Sequence, residues 1–388
     1  MSDSHSTAGS AGSAAALDGS AGSAAALDAR ALHQFVPMLI ANDAVGGHTL
    51  DVQRLARAAG LASKIFVDTI NGEEPAEVHH FSAYADLAGP GDVLVYQLAV
   101  ASPMVEMLCS RDEPLVVNYH NITKPDAFAP WDYVAVLDQT RARDELVRLA
   151  TRASGGLAAS HFNEAELIDA GYRHTAVLPV LLDLGRNDEQ VDTPTMEHLT
   201  LLKKAGGSDW LFVGRLAPNK GQDRLIRALY VHRKLYDPDA RLHLVGREVS
   251  PAYAEAIRRY VDVLGLAGCI EIVADLTAAE LSAYYRSADV YVCLSEHEGF
   301  GAPLLEAFDA SLPVVAYAAG VIPEMLGPAG MRLGSAAPTD VATAIARLLR
   351  DERLRASLIA RGHERLREID MPGARDRTLS TLLSLASR

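Results

Sequence analysis

From Leu32 onward, short apolar runs of strand length alternate with longer segments of helical period, the pattern of parallel sheets with crossover helices. In the first half, FVPMLI, SKIFV, DVLVYQ, PLVVNY, DYVAVL, GGLAAS and TAVLP read as strands. Amphipathic stretches over 49–58 and 163–170 read as helices, the second stopped by Gly171. A second series runs DWLFVG, RLHLVG, CIEIVA, DVYVCLS and LPVVAYA, with helices predicted over 221–235, 252–264 and 277–288. The last of these opens on Thr277 and Glu280, the spacing of a capping box. Between the two series, LDLGRNDEQVDTPTMEH is polar and has no sustained period, so the interdomain connection is placed there. The expected division is a low-complexity leader (1–28), a first Rossmann-like domain (29–185), a connection (186–208), a second Rossmann-like domain (209–370) and a final helix (371–388) able to cross back to the first domain. The fold class is α/β, with two Rossmann-like domains facing across a cleft. Ligands of such sheets bind outside the carboxyl ends of the strands.

Composition narrows the function classes. The chain has 388 residues, 49% hydrophobic and 22% charged, enough for two cores. Its net charge of -14 argues against a broad nucleic-acid footprint, which needs a basic face along the phosphates. Cys109, Cys269 and Cys293 are odd in number and widely spread, and read as small apolar residues in a reducing compartment. No apolar run approaches the roughly 20 residues of a membrane-spanning helix, so at most peripheral membrane contact is expected. The first 28 residues carry no Lys or Arg and so lack the start of a secretory signal; a cytoplasmic protein is expected. GSAGSAAALD occurs twice in succession there, over 9–18 and 19–28, and reads as a disordered leader without chemistry.

The candidate chemistry gathers in the second series. Glu298-Gly-Phe-Gly-Ala-Pro-Leu-Leu-Glu306 follows the strand in DVYVCLS directly. Pro303 suits a first helical turn, so Gly299, Phe300 and Gly301 form a loop before a helix N-terminus, whose free N–H groups favour an anion. Glu298 and Glu306 flank that helix start and suit ribose and sugar hydroxyls, which donate to charged acceptors. Taken alone they equally suit mere complementation of the helix dipole, worth about 0.3–1 kcal/mol each. A second strand-to-helix turn, Gly214-Arg215-Leu-Ala-Pro-Asn-Lys220-Gly221, places two cations at the same sheet edge. Arg215 and Lys220 can hold a diphosphate and neutralise the charge that grows as it departs, with no metal required.

GRLAPNKGQDRLIRAL followed by SEHEGFGAPLLEAFDASLPVVAYAAGVIPE resembles the C-terminal half of family 4 glycosyltransferases of the GT-B fold, and the paired glutamates match that family's E-x7-E motif. The resemblance implies retaining, metal-independent hexosyl transfer from a nucleotide-diphosphate sugar, with no cofactor. It implies that Arg215 and Lys220 bind the diphosphate, that Glu298 contacts the transferred sugar and that Glu306 binds the ribose. It extends more loosely to the first half. There Gly46-Gly47-His48 resembles the family's glycine loop near the diphosphate and acceptor, and His120, after PLVVNY, resembles the histidine beside the transferred sugar. The implied partners are the nucleotide sugar and a glycan, lipid-linked or small-molecule acceptor.

Other chemistries find little support. His79 and His80 are adjacent and point apart on a regular element, so no metal site is expected. There is no G-x-G-x-x-G, Walker A or G-x-S-x-G frame. Arg141, Arg143, Arg148 and Arg152 form a basic stretch that Asp144 and Glu145 interrupt, which reads as a solvated face. Two alternatives stand beside transfer. A sugar-nucleotide epimerase would need a paired acid/base set in the cleft, and a non-catalytic sugar-nucleotide-binding subunit would not need the intact charged set.

Overall fold

The computed structural model describes residues 29–40, 43–70, 77–185 and 191–388. The repeated leader lies outside them. Two parallel sheets organise the described chain. The first has seven strands: β1 (Ala31–Val36), β2 (Ile65–Val67), β3 (Val78–His80), β4 (Asp92–Leu98), β5 (Leu115–Tyr119), β6 (Gly155–Ala158) and β7 (Thr175–Val177), in the order β3-β2-β1-β4-β5-β6-β7. The second has six: β8 (Asp209–Val213), β9 (Arg241–Val245), β10 (Ile270–Val273), β11 (Val290–Cys293), β12 (Val314–Tyr317) and β13 (Met331–Leu333), ordered β10-β9-β8-β11-β12-β13. Each order reverses once, between β1 and β4 and between β8 and β11. At such a switch point the loops leave in opposite directions and open a crevice.

The central strands β4, β5 and β11 are buried on both faces, which is why they read as largely apolar runs and not as alternating ones. The predicted capping box is formed, with Thr277 Oγ1 accepting from Glu280 N and Glu280 Oε2 accepting from Thr277 N at 2.7 Å.

Three segments differ from the sequence reading. β1 covers Ala31–Val36 where FVPMLI predicts a strand over 35–40; Pro37 has no N–H to continue the ladder, and the pairing runs N-terminal to it. DYVAVL does not form a strand. It opens the helix Tyr133–Ala150, because Asp132 caps Ala135 N at 3.0 Å and the following residues continue helical pairing, with Arg141 donating to Glu145 one turn on at 2.9 Å. The predicted connection contains the helix Thr193–Lys204, capped by Asp192 and opened by Pro194. It packs on the helix Ala278–Ser287, where Lys203 donates to Ser287 O at 2.7 Å.

The last helix, Met371–Ala386, lies against the first sheet and against the helix Ala44–Ala58, where Arg375 meets Asp51 at 2.7 Å. Its approach needs a glycine in β6: a Cβ on Gly155 would sit 2.8 Å from Leu385 Cδ2.

Candidate active site

The second sheet supplies one wall of the cleft from its switch strands. After β8 the chain passes Gly214 and Arg215, makes a short 3-10 turn over Pro218–Lys220, and enters the helix Gln222–Leu235 through Gly221 at φ 68°. A side chain on Gly221 would also collide with Leu294 O, 2.5 Å from the Cβ position, so this turn requires glycine twice over. Gln222 Nε2 holds the Arg215 carbonyl at 2.9 Å, while the Arg215 side chain remains exposed and, among the described residues, makes no ion pair. Asn219, buried, ties this turn to the loop after β11 by donating to His297 O at 3.2 Å and accepting from Glu296 N at 2.9 Å.

That tie brings the candidate charges together. Lys220 Nζ lies 2.6 Å from Glu298 Oε2. The helix Ala302–Asp309 starts at Gly301, φ 79°, with Pro303 in its first turn, as the sequence predicts. Glu306, half-buried on this helix, accepts a hydrogen bond from Tyr285 Oη at 2.7 Å. Burial and the neighbouring carboxylate hold the Tyr285 phenol well above its ordinary pKa, so it stays protonated and donates. Sequence reasoning did not find Tyr285, because nothing in the helix Ala278–Ser287 distinguishes it from a core tyrosine. Phe300 is only 7% exposed and packs in the apolar cluster with Leu304, Leu305 and Tyr285. It anchors the loop on the core.

The first sheet supplies the facing wall. His120 follows β5, and its Nε2 lies 2.6 Å from Gln97 Oε1. Burial, with a smaller effect of His48, pushes the His120 pKa well below its ordinary value. Gly46 and Gly47 do not form an open loop. They lie in the first turn of the helix Ala44–Ala58, where Asp43 already accepts from Gly46 N at 2.6 Å and from Gly47 N, through its carbonyl, at 2.9 Å. The need for glycine at 46 is steric, since a Cβ there would fall 1.9 Å from Ile40 O. Burial raises the pKa of Asp43, and Arg215 from the other domain acts against that shift, which places this helix start opposite the β8 turn.

Direct contacts close the two walls on each other. Asn121, at φ 76°, donates to Asn163 Oδ1 at 2.8 Å, and Asn163 donates to Gly299 O at 2.9 Å. His297 completes the bridge by donating from Nε2 to Asn121 Oδ1, and burial lowers its pKa so that the ring is neutral. Glu324 caps the helix His161–Asp169 across the cleft, accepting from His161 N at 2.9 Å and Phe162 N at 3.1 Å. None of these four side chains is singled out by the sequence. Arg141, Arg143, Arg148 and Arg152 are all engaged within the first domain, with Glu145, Ile122 O, Glu106 and the carbonyls of Arg111 and Glu113. Among the described residues no group of three or more His, Cys, Asp or Glu is arranged to hold a metal ion, and no helix is long and apolar enough to cross a membrane.

The wall built on the second sheet has a known counterpart. Residues 200–365 match the family described as Glycosyl transferases group 1. Over this stretch the chain is similar to the group 1 glycosyltransferases. The matched stretch contains Arg215, Lys220, Glu298 and Glu306 together. The chain is 35% identical over 155 residues to the GDP-mannose-dependent alpha-(1-6)-phosphatidylinositol monomannoside mannosyltransferase of Mycolicibacterium smegmatis, covering 38% of this chain and 40% of that protein. It is 32% identical over 252 residues to the D-inositol 3-phosphate glycosyltransferase of Geodermatophilus obscurus, covering 61% of this chain and 54% of that one. The matches thus span about half, or less, of these relatives' lengths. In structure the chain resembles Anabaena Alr3699/HepE, solved in complex with UDP and glucose, with a TM-score of 0.70 at 20% identity over 91% of this chain and 100% of the other. The C-terminal domain and the N-terminal domain facing it form a GT-B fold.

Proposed function

We propose that this protein transfers a hexosyl group from a nucleotide-diphosphate sugar to a hydroxyl acceptor, with retention of configuration and without a metal ion. The observation that carries this reading is the Lys220–Glu298 pair at the β8/β11 switch point, beside the helix start at Gly301 and opposite His120. An anionic diphosphate seated there meets the N-terminal N–H groups of the helix Ala302–Asp309, Lys220 and the exposed Arg215, all of which stabilise negative charge. Glu306 then accepts from the ribose and Glu298 from the sugar. The C1–O bond to the diphosphate breaks through an oxocarbenium-like state and the acceptor oxygen bonds C1. The acceptor's proton passes to the departing phosphate oxygen. The cations act most strongly as that charge develops, which is where catalysis requires them.

The mannosyl and inositol phosphate glycosyltransferase relatives support a sugar-transfer reading, and the HepE complex supports a nucleotide-sugar site in the cleft. GDP-mannose and UDP-glucose are accordingly the first sugar donors to test, and inositol-containing and lipid-linked acceptors the first acceptors. A cytoplasmic location fits such donors. The test is release of nucleoside diphosphate by the purified chain, with an acceptor panel and with excess chelator. Acceptor-dependent release that persists in chelator supports the reading. A strict requirement for magnesium or manganese overturns the metal-free part, and conversion of the free sugar nucleotide without acceptor favours epimerisation.

A further inference from the structure

A line of buried amides runs from the helix Ala44–Ala58 to His120. Gln34 in β1 donates from Nε2 to the carbonyl of Thr49 at 2.8 Å. Gln97 in β4 donates from Nε2 to Gln34 Oε1 at 2.8 Å, and Gln97 Oε1 faces His120 Nε2 at 2.6 Å. Both glutamines are fully buried. Fully buried amides have no water to turn to, so each must find its partner within the line.

The direction of the line is forced at every link. A backbone carbonyl only accepts, so Gln34 must turn its NH2 to Thr49 and its oxygen to Gln97. Gln97 must then give its NH2 to Gln34 and its oxygen to His120. An oxygen at that position requires a proton on His120 Nε2. The ring is neutral, because burial disfavours its charged form, so Nδ1 carries a lone pair. Nδ1 is shut off from solvent and has no hydrogen-bond partner in the described structure. His48, the titratable group whose charge acts on this ring, lies edge-on to it at 5.6 Å between centroids and is itself held neutral, its pKa lowered to about 4 by burial.

We propose that Gln97, oriented by Gln34, is a positioning residue that fixes His120 in its Nε2–H tautomer, so that Nδ1 receives a hydrogen bond from a hydroxyl of the transferred sugar. The tautomer follows from the amide line alone; the destination of the lone pair rests on the transferase reading above. Two β-strands that are neighbours at the switch point thereby set the hydrogen-bonding sense of the cleft. Toward the cleft His120 accepts through Nδ1 while its Nε2–H stays with Gln97, and a sugar whose nearby hydroxyl is replaced by hydrogen leaves Nδ1 unsatisfied.

Long-range nitrogen–proton correlation spectra of the protein labelled with 15N-histidine test the tautomer without any substrate. The expected result is His120 neutral with the proton on Nε2 in the wild type, and a mixture of tautomers in Gln97→Met. In that variant kcat falls about tenfold or more, the loss of one oriented hydrogen bond, while affinity for the bare nucleoside diphosphate stays within about twofold. If Gln97→Met does not fold, Gln34→Met frees the Gln97 amide to rotate and is expected to give the same mixture. A proton on Nδ1 in the wild type, or unchanged tautomer and kcat in a folded variant, overturns the proposal. A wild-type protein with the Nε2 proton in place but no sugar transfer supports the tautomer relay and overturns the transferase reading, so the two fail separately.

Discussion

Lys220 and Glu298 neutralise each other across 2.6 Å, with their side chains only 13% and 12% exposed. They come from loops after different strands, β8 and β11, and are joined only because the sheet sets those strands side by side. Each is the group that the transferase reading assigns to a different part of the ligand. On that reading a diphosphate sugar offers Lys220 phosphate oxygens and Glu298 hydroxyl donors in place of one another.

Breaking the pair from one side is expected to be costly. Lys220→Ala leaves a nearly buried carboxylate without its cation and should lower unfolding free energy by about 3 kcal/mol. Lys220→Met with Glu298→Leu, which removes both charges, should recover most of that loss. Both variants should lose turnover well beyond any change in substrate affinity. Urea denaturation beside kcat and KM decides this; a stable Lys220→Ala with unchanged kcat is the contrary result.

Glu298 and Glu306 should separate by what they bind. Glu306→Gln is expected to weaken the bare nucleoside diphosphate and the full sugar donor alike, by roughly 1.5–3 kcal/mol, the range for a charged hydrogen bond. Tyr285→Phe, which removes the hydroxyl that orients Glu306 at 2.7 Å, should shift binding in the same direction by less. Glu298→Gln should leave diphosphate affinity nearly unchanged while turnover collapses. Calorimetric titration of all three variants with the diphosphate, beside initial rates, checks the split, and the reverse pattern would reverse the two assignments.

Gly299 lies at a close approach between the domains. A Cβ there would lie 2.6 Å from His120 O and 2.8 Å from Asn121 Cβ, and a backbone carbonyl cannot move aside cheaply. Gly299→Ala should therefore push the loop away from the first domain and loosen the Asn163–Gly299 hydrogen bond. The expected outcome is a folded protein of normal melting temperature, with kcat/KM lower by about a hundredfold or more, since a displacement of about 1 Å at a positioned group costs that much. Retention of full activity would falsify the idea that this contact sets the working cleft.

Acid should destabilise the fold through its buried histidines. His48 accepts from Leu181 N at Nδ1 and has its pKa lowered from 6.5 to about 4 by burial. The unfolded chain takes up a proton near 6.5 that the folded chain refuses until about 4. The stability linked to this group is therefore complete above about 6.5 and is lost as pH falls toward about 4, by roughly 3 kcal/mol at most. Melting temperature measured from neutral pH downward should fall over that window, and His48→Gln, which cannot take up a proton, should flatten the decline. An equal decline in the variant assigns the acid sensitivity elsewhere.

Much of the site is legible in the sequence, and the reasons are local. Glycine at 221 and 301 answers a left-handed turn, Pro303 a helix start, and the spacing of Glu298 and Glu306 places both on one strand-to-helix passage. The errors are local signals that tertiary context overrode. The apolar run at DYVAVL carries strand-like residues, yet Val134 and Leu137 are 68% and 52% exposed on a helix capped by Asp132. Phe300 lies between Gly299 and Gly301 in the sequence, and only the tertiary structure shows its ring packed in the core.

The chain's own pattern determines two α/β domains and the strand-to-helix turns that carry Arg215, Lys220 and Glu298, because these depend on propensity and on spacing within a few residues. The partners of those groups are settled only by the tertiary structure. Tyr285 reaches Glu306, Gln34 and Gln97 reach His120, and Asn121 and Asn163 reach His297 and Gly299 across separations that no local period encodes. Which strand neighbours which at a switch point, and how closely two domains approach, follow from the packing of whole sheets and their helices, and a sequence read residue by residue carries no term for either.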